Sequence, residues 1–183
     1  MPSSMKRIVS AALVAAAAIL AVSCGNGNGP RNDGKGEGAQ SAGIESAVFS
    51  LSYSVTEYVL RIADVNIEFV GADGTVSVHD VGEEGWKCDF EASQLPATVS
   101  FRPLFALLDG VAAADSYRLG TGYSVSVAVK DASGEQKVVY SSSSPQSDMT
   151  LKADKAAEWV ARQNGASRAH SYTVDAQGTV QAR

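Results

Sequence analysis

The chain reads as an all-β protein: an antiparallel β-sandwich of seven to nine strands, with one short helix near residues 154–164. Three observations predict it. Apolar residues recur at every second position in a series of short segments. Clusters of Gly, Asp and Ser separate those segments at regular intervals, as turns between strands do. No alternation of strand and long helix appears, which leaves no basis for a parallel βαβ sheet.

Ala47, Phe49, Leu51, Tyr53 and Val55 alternate with Val48, Ser50, Ser52, Ser54 and Thr56. Period-two alternation of this length marks a strand with one buried face. The rhythm breaks from Thr56 to Asp64. There Val59, Leu60 and Ala63 fall at helical spacing, so a short helical turn capped by Thr56 is expected. Val65, Ile67 and Phe69 then alternate, Gly71-Ala72-Asp73-Gly74 follows, and Val76 and Val78 resume. Two alternating runs across a Gly- and Asp-containing loop make a hairpin. Gly82-Glu83-Glu84-Gly85 is a second turn, and Trp86, Cys88 and Phe90 share one face of the next strand. Leu95-Pro96-Ala97 opens another strand through Val99 and Phe101. Pro103 is expected to end its pairing, because proline cannot donate to a ladder. Residues 104–120 show no firm period and read as a loop with one helical turn.

Tyr123, Val125, Val127 and Val129 form the clearest strand after the first. Residues 130–135 read as a turn by their Asp, Ser and Gly content. Val138 and Tyr140 return to alternation, and Ser141 to Ser144 followed by Pro145 read as a break. Residues 154–164, DKAAEWVARQN, form the one helix, with Asp154 capping its start and Gly165 left-handed at its end. Ala156, Trp159, Val160 and Gln163 line its buried side. SYTV, a DAQG turn and TVQAR close the chain as a last hairpin or bent edge strand. The Ser-rich outer faces of the two strongest strands suit sheets with one wet side. The whole fits an immunoglobulin-like or transthyretin-like sandwich. Of the disulfide and buried tryptophan of antibody domains, Trp86 can supply only the second.

The N-terminus carries a different signal. Lys6-Arg7 precede an apolar run from Ile8 to Val22, 15 residues long. A membrane-spanning helix needs about 20. A basic start, an apolar centre and small residues before a cut site make a secretory signal. Leu20-Ala21-Val22-Ser23-Cys24 resembles the lipobox of bacterial lipoproteins. That resemblance implies cleavage before Cys24, thioether lipidation of its sulfur and acylation of the new N-terminus. One departure is Ala21, which stands three places before the cysteine where a large aliphatic residue is usual; Leu20 lies one place further out. Residues 1–23 are then the signal peptide, 24–43 the lipidated cysteine and its tether, and 44–183 the sandwich. Seven of the 19 residues from 25 to 43 are glycine and none is large and apolar, a composition that cannot offset its own ordering entropy. Such a tether reaches roughly 25 Å.

The full chain carries 15 basic and 20 acidic residues. Loss of Lys6 and Arg7 leaves 13 basic residues, and the net charge moves from −5 to −7. No basic cluster remains, so nucleic acid is not an expected partner. With Cys24 lipidated, Cys88 has no disulfide partner among the 2 cysteines and reads as a small core residue.

ADVNIEFVGADGTVSVHDV, EGWKCDFEASQLPATVSF and DKAAEWVARQN before a final SYTVDAQGTV resemble small uncharacterised lipoproteins of Bacteroidetes that join a lipobox to one β-sandwich. The resemblance covers most of residues 45–183 and implies no activity and no catalytic residues. Surface-exported lipoproteins of that group usually carry acidic residues just after the lipid cysteine, and Gly25 to Gly29 contain none. The resemblance therefore implies the periplasmic side of the outer membrane.

No residue set reads as catalytic, and no cofactor is expected. His79-Asp80 point to opposite faces of a strand, and His170 has no partner in sequence. No HxxxH, HExxH or CxxC spacing offers a metal site. Asp73, Glu83-Glu84 and Asp131 lie in turns, and DASGE lacks the remainder of a calcium loop. Ser141 to Ser144 contain no nucleophile elbow, and GNGNG follows no strand and opens no helix. Tyr58, Tyr117 and Tyr172 fall near strand ends or loops and are the candidates for an exposed sugar-stacking platform. The leading expectation is a lipid-anchored, non-enzymatic binding or structural module at the outer membrane, with an envelope protein or glycan as partner. The alternatives are a glycan-binding lipoprotein using loop aromatics and a cell-surface assembly or adhesion subunit.

Overall fold

Alternation of apolar residues generates two antiparallel sheets in the computed structural model, which describes residues 43–109 and 116–183. Cys24, the signal segment and the tether up to residue 42 lie outside the described residues. The first sheet holds β1 (Ile44–Val55), β4 (Trp86–Ala92), β6 (Ser116–Asp131) and β7 (Gln136–Lys152), in the order β4-β1-β6-β7. The second holds β2 (Ala63–Val70), β3 (Val76–Asp80), β5 (Ala97–Leu107), β8 (His170–Val174) and β9 (Val180–Ala182), in the order β3-β2-β5-β8-β9. Two helices complete the fold, α1 (Glu57–Leu60) and α2 (Ala156–Gln163). Nine strands in two sheets make the expected all-β sandwich.

The core lies between the sheets. Ala47, Phe49, Leu51, Tyr53 and Val55 of β1 are all buried, as their alternation requires. Rings meet across the gap: Phe69 and Phe101 each lie about 6 Å from Trp86. Tyr140 meets Tyr172 at 5.7 Å, and Tyr123 meets His170 at 4.3 Å. These tilted contacts suit the ring quadrupoles. Trp159 of α2 seats edge-on against Phe105 at 5.9 Å and closes one end of the core.

Hairpin loops carry the turn chemistry read from composition. Asp131 and Asp175 each accept the backbone amides two and four residues ahead. Gly134 and Gly178 then take positive φ, as a three-residue hairpin loop demands.

Several expectations are corrected. The helical turn after Thr56 is present, but the Thr56 hydroxyl donates to the Arg118 carbonyl at 2.8 Å instead of capping it, and Ala63 already belongs to β2. Pro103 does not end β5, which runs on to Leu107 with Pro103 opposite Ile67. Amides alternate in direction along a strand, and the Phe105 amide points away from β2 to the Asn164 side chain. The Pro103 nitrogen therefore also faces away from β2, beyond the last β5–β8 pair at Phe101, where no ladder needs a donor. Residues 104–107 and 116–120 are strand, not loop, and 110–115 lie outside the described residues. Ser141 to Pro145 do not break β7, because Pro145 and Gln146 bulge together opposite Gly122 on an edge strand. Asp154 caps nothing, since a 3-10 turn (Ala153–Lys155) precedes α2. Gly165 keeps negative φ; the Asn164 side chain instead bonds both the amide and the carbonyl of Phe105 at 2.8 Å, standing in for a neighbouring strand.

Gly122 permits that bulge. A Cβ there would lie 2.6 Å from the Gln146 nitrogen and 2.8 Å from its Cα, both backbone atoms that cannot yield without moving β7. Gly122→Ala is expected to cost about 1–3 kcal/mol by urea unfolding. Amide exchange should quicken at residues 144–150 while β1 stays protected; unchanged exchange there would show that β7 does not depend on this approach.

Candidate functional site

Two polar places stand out, one on the outside of a sheet and one between the sheets. The first follows from the register of the first sheet. Asp89, Ser50, Ser126 and Ser141 lie side by side across β4, β1, β6 and β7. Lys87, Ser52, Ser124 and Ser143 form the next row. Six serines thus tile the outer faces of β1, β6 and β7, with a cation and an anion beside them on edge strand β4. The Ser52 and Ser124 hydroxyls share a hydrogen bond of 2.7 Å. The tiled surface is a shallow trough of about 460 Å³. Two residues beyond Asp89 on β4, Glu91 accepts from Lys130 at 2.8 Å and from Ser46 at 3.0 Å. Those bonds, Lys130 first, hold the Glu91 carboxyl below the usual range. Each serine adds donor and acceptor capacity on a short side chain that loses little freedom when covered.

The second place is a cleft of about 80 Å³ between the sheets. Tyr53, Pro103, Thr121, Tyr123, Ser144, Ser167, Arg168 and His170 line it. His170 opens β8 and stacks on its cross-strand partner Phe101 at 4.8 Å. Burial, and then the Arg168 charge, lower its pKa from the ordinary histidine value. Burial pushes the Tyr53 phenol up to about 12, opposed by a Thr121 hydrogen bond and by Arg168.

The residues singled out from sequence do not converge. Tyr117 and Tyr172 are buried, at 6 % and 3 % exposure. Tyr58 is exposed, with the Arg61 guanidinium 5.2 Å over its ring. Cys88 is half-buried against the core, and its thiol pKa is raised by burial and then by Asp89, the opposite of what a thiolate nucleophile needs. His79 bonds Ser77 at 2.8 Å on the outer strand β3. The Asp131 carboxylate is occupied by the Ser133 hydroxyl and the turn amides. Among the described residues, no three His, Cys, Asp or Glu side chains lie close enough to hold a metal ion. The tiled face was half visible in the Ser alternation of two strands, but the cleft was not. Its residues come from β1, β5, β6, β7, β8 and a 3-10 turn (Ala166–Arg168), and no spacing in the chain relates them.

No known protein family matches the chain, and neither a curated protein nor a solved structure does.

The two perturbed groups of the cleft make opposite demands of pH. His170 has a folded pKa below its unfolded one, so the fold favours its neutral form. Its contribution is complete above about pH 6.5 and is lost as pH falls. Tyr53 has a folded pKa above its unfolded value of 10.0, so its contribution is complete below that and is lost as pH rises towards 12. His170→Phe, which keeps the stack, should flatten the fall in stability between pH 7 and about 5. Tyr53→Phe should remove up to about 3 kcal/mol of alkaline loss. Denaturant midpoints across pH check both, and unchanged slopes would assign the pH dependence to other groups.

Proposed function

We propose that this chain is a lipid-anchored envelope protein acting as a non-enzymatic binding or structural module at the outer membrane, facing the periplasm. The observation that carries the binding reading is the serine-tiled face: two rows of serines in register across three strands, ending in Lys87 and Asp89 on the fourth. Such a face meets a polar partner at low entropic cost and holds many hydrogen bonds in a fixed grid. Cys24 and the lipobox that it ends support the anchor. The raised Cys88 thiol and the bonded His79 support a role without nucleophilic chemistry.

The alternatives have narrower support. A glycan platform of loop aromatics rests on Tyr58 alone, since Tyr117 and Tyr172 are buried. Assembly through β7 has an open edge in its favour, but two register shifts and Pro145 interrupt that edge, as strands that avoid pairing do.

A photo-crosslinking residue at Ser126 in living cells should yield one discrete adduct, and the same residue at exposed Glu84 should yield none. Absence of any adduct at Ser126 would remove the face from the reading. Cys24→Ala should release the protein from the membrane fraction and abolish fatty-acid labelling. A protease that cannot cross the outer membrane should leave the domain intact on whole cells; its loss there would move the protein to the cell surface.

A further inference from the structure

Most of the described arginines are paired with a carboxylate; Arg168 and the C-terminal Arg183 are not. Arg61, Arg102, Arg118 and Arg162 each face a carboxylate. Arg168 forms no salt bridge with any described residue. It lines the cleft between the sheets together with the hydroxyl residues Tyr53, Thr121, Tyr123, Ser144 and Ser167 and with the His170 ring. No carboxylate lines that cleft. It is thus bordered by one permanent cation and by groups able to donate hydrogen bonds, with no negative charge opposite them.

We propose that this cleft binds one small oxyanion group, a carboxylate or a phosphate, held by the Arg168 guanidinium and the surrounding hydroxyls. The guanidinium presents paired donors in a fork that matches two oxygens of such a group. The volume of about 80 Å³ equals roughly two to three waters. That is room enough for a single anionic group. The walls are already placed: Tyr53 sits on central strand β1, and His170 is fixed between Phe101 at 4.8 Å and Tyr123 at 4.3 Å. Little reorganisation is therefore needed on binding. This site is independent of the serine-tiled face, which lies on the opposite side of the first sheet.

His170 supplies a reporter. The groups facing it are Phe101 of β5, Tyr123 of β6 and Arg168 of the preceding turn, and Arg168 is the only charge among them. Part of what keeps the imidazole neutral is that charge. An anion on Arg168 offsets it, so binding raises the proton affinity of His170, and by linkage the anion binds more tightly as pH falls. The chain has 2 histidines, and His79 on outer strand β3 serves as internal control.

The test is a titration of the purified full chain with inorganic phosphate and, separately, acetate, followed by the histidine ring signals in NMR spectra across pH. Saturable movement of the His170 signals with an upward shift of its titration, while His79 stays fixed, is expected. Arg168 is exposed and unpaired, so Arg168→Gln should fold normally and weaken binding by about tenfold or more. Arg168→Lys should fall between. Methyl phosphate tells the sources apart: binding equal to that of inorganic phosphate marks the end group of a larger molecule, and loss of binding marks the free ion. Linear movement of both histidines, or an unchanged response in Arg168→Gln, overturns the site as a general salt effect.

Discussion

The register of β1 is the constraint on which the rest depends. It lies between β4 and β6 and pairs with both over most of its length. Its odd positions from Ala47 to Val55 all enter the core, while Ser50, Ser52 and Ser54 face outward. A slip of one residue would expose Phe49, Leu51 and Tyr53 and bury three hydroxyls. Burial of those apolar side chains is worth roughly 1.5–3 kcal/mol each, so the register is specified strongly. The same energy that holds the core therefore also aligns the outer serines, and the polar grid needs no interaction of its own to stay in order.

The edges are governed by different physics. On β7, an edge strand, the outer backbone has no strand beside it, and Ser142 and Ser144 are only half-buried. β7 is held by its long ladder with β6, in which Gly120 and Gly122 allow the backbones to approach closely and bulges take up the surplus residues. Those bulges and Pro145 also spoil the edge as a template for another chain. On the second sheet β5 outlasts β8, and its exposed ladder is closed by the Asn164 amide. The polar cleft lies nearby, at the start of β8, with Pro103 of β5 and His170 among its walls.

Legibility in the sequence follows this division. Strands with a buried face declare themselves by period two, so β1, β2, β4, the centre of β6 and the buried side of α2 were readable residue by residue. Turns were readable because Asp131 and Asp175 satisfy local amides that nothing else reaches. The misreadings fall where a tertiary partner replaces a local one. Thr56 bonds a carbonyl 62 residues away instead of its own helix, and Asn164 one 59 residues away. Pro103 and Pro145 sit where the ladder asks for no donor, which no local pattern reveals. Of the two candidate surfaces, the face was partly legible because it is the complement of a core pattern. The cleft has no such complement, since its residues gather only when six separate segments fold together.

The two polar surfaces also differ in what they can recognise. The outer face is broad and nearly neutral, with Lys87 and Asp89 balancing at one edge. Its hydroxyls are individually weak, each hydrogen bond worth about 1 kcal/mol net, so only an extended partner covering several rows would be held. The cleft is small and carries one uncompensated guanidinium, so it selects charge and shape at a point. The fold makes both possible at once because β1 contributes to each: Ser50 and Ser52 on one side of the strand, Tyr53 on the other. A ligand in the cleft would press on Tyr53 and Tyr123, whose direct cross-strand pairing puts them in the same two strands that carry four of the six face serines. Any coupling between the surfaces would pass through the β1–β6 pair, whose register the buried side of β1 fixes.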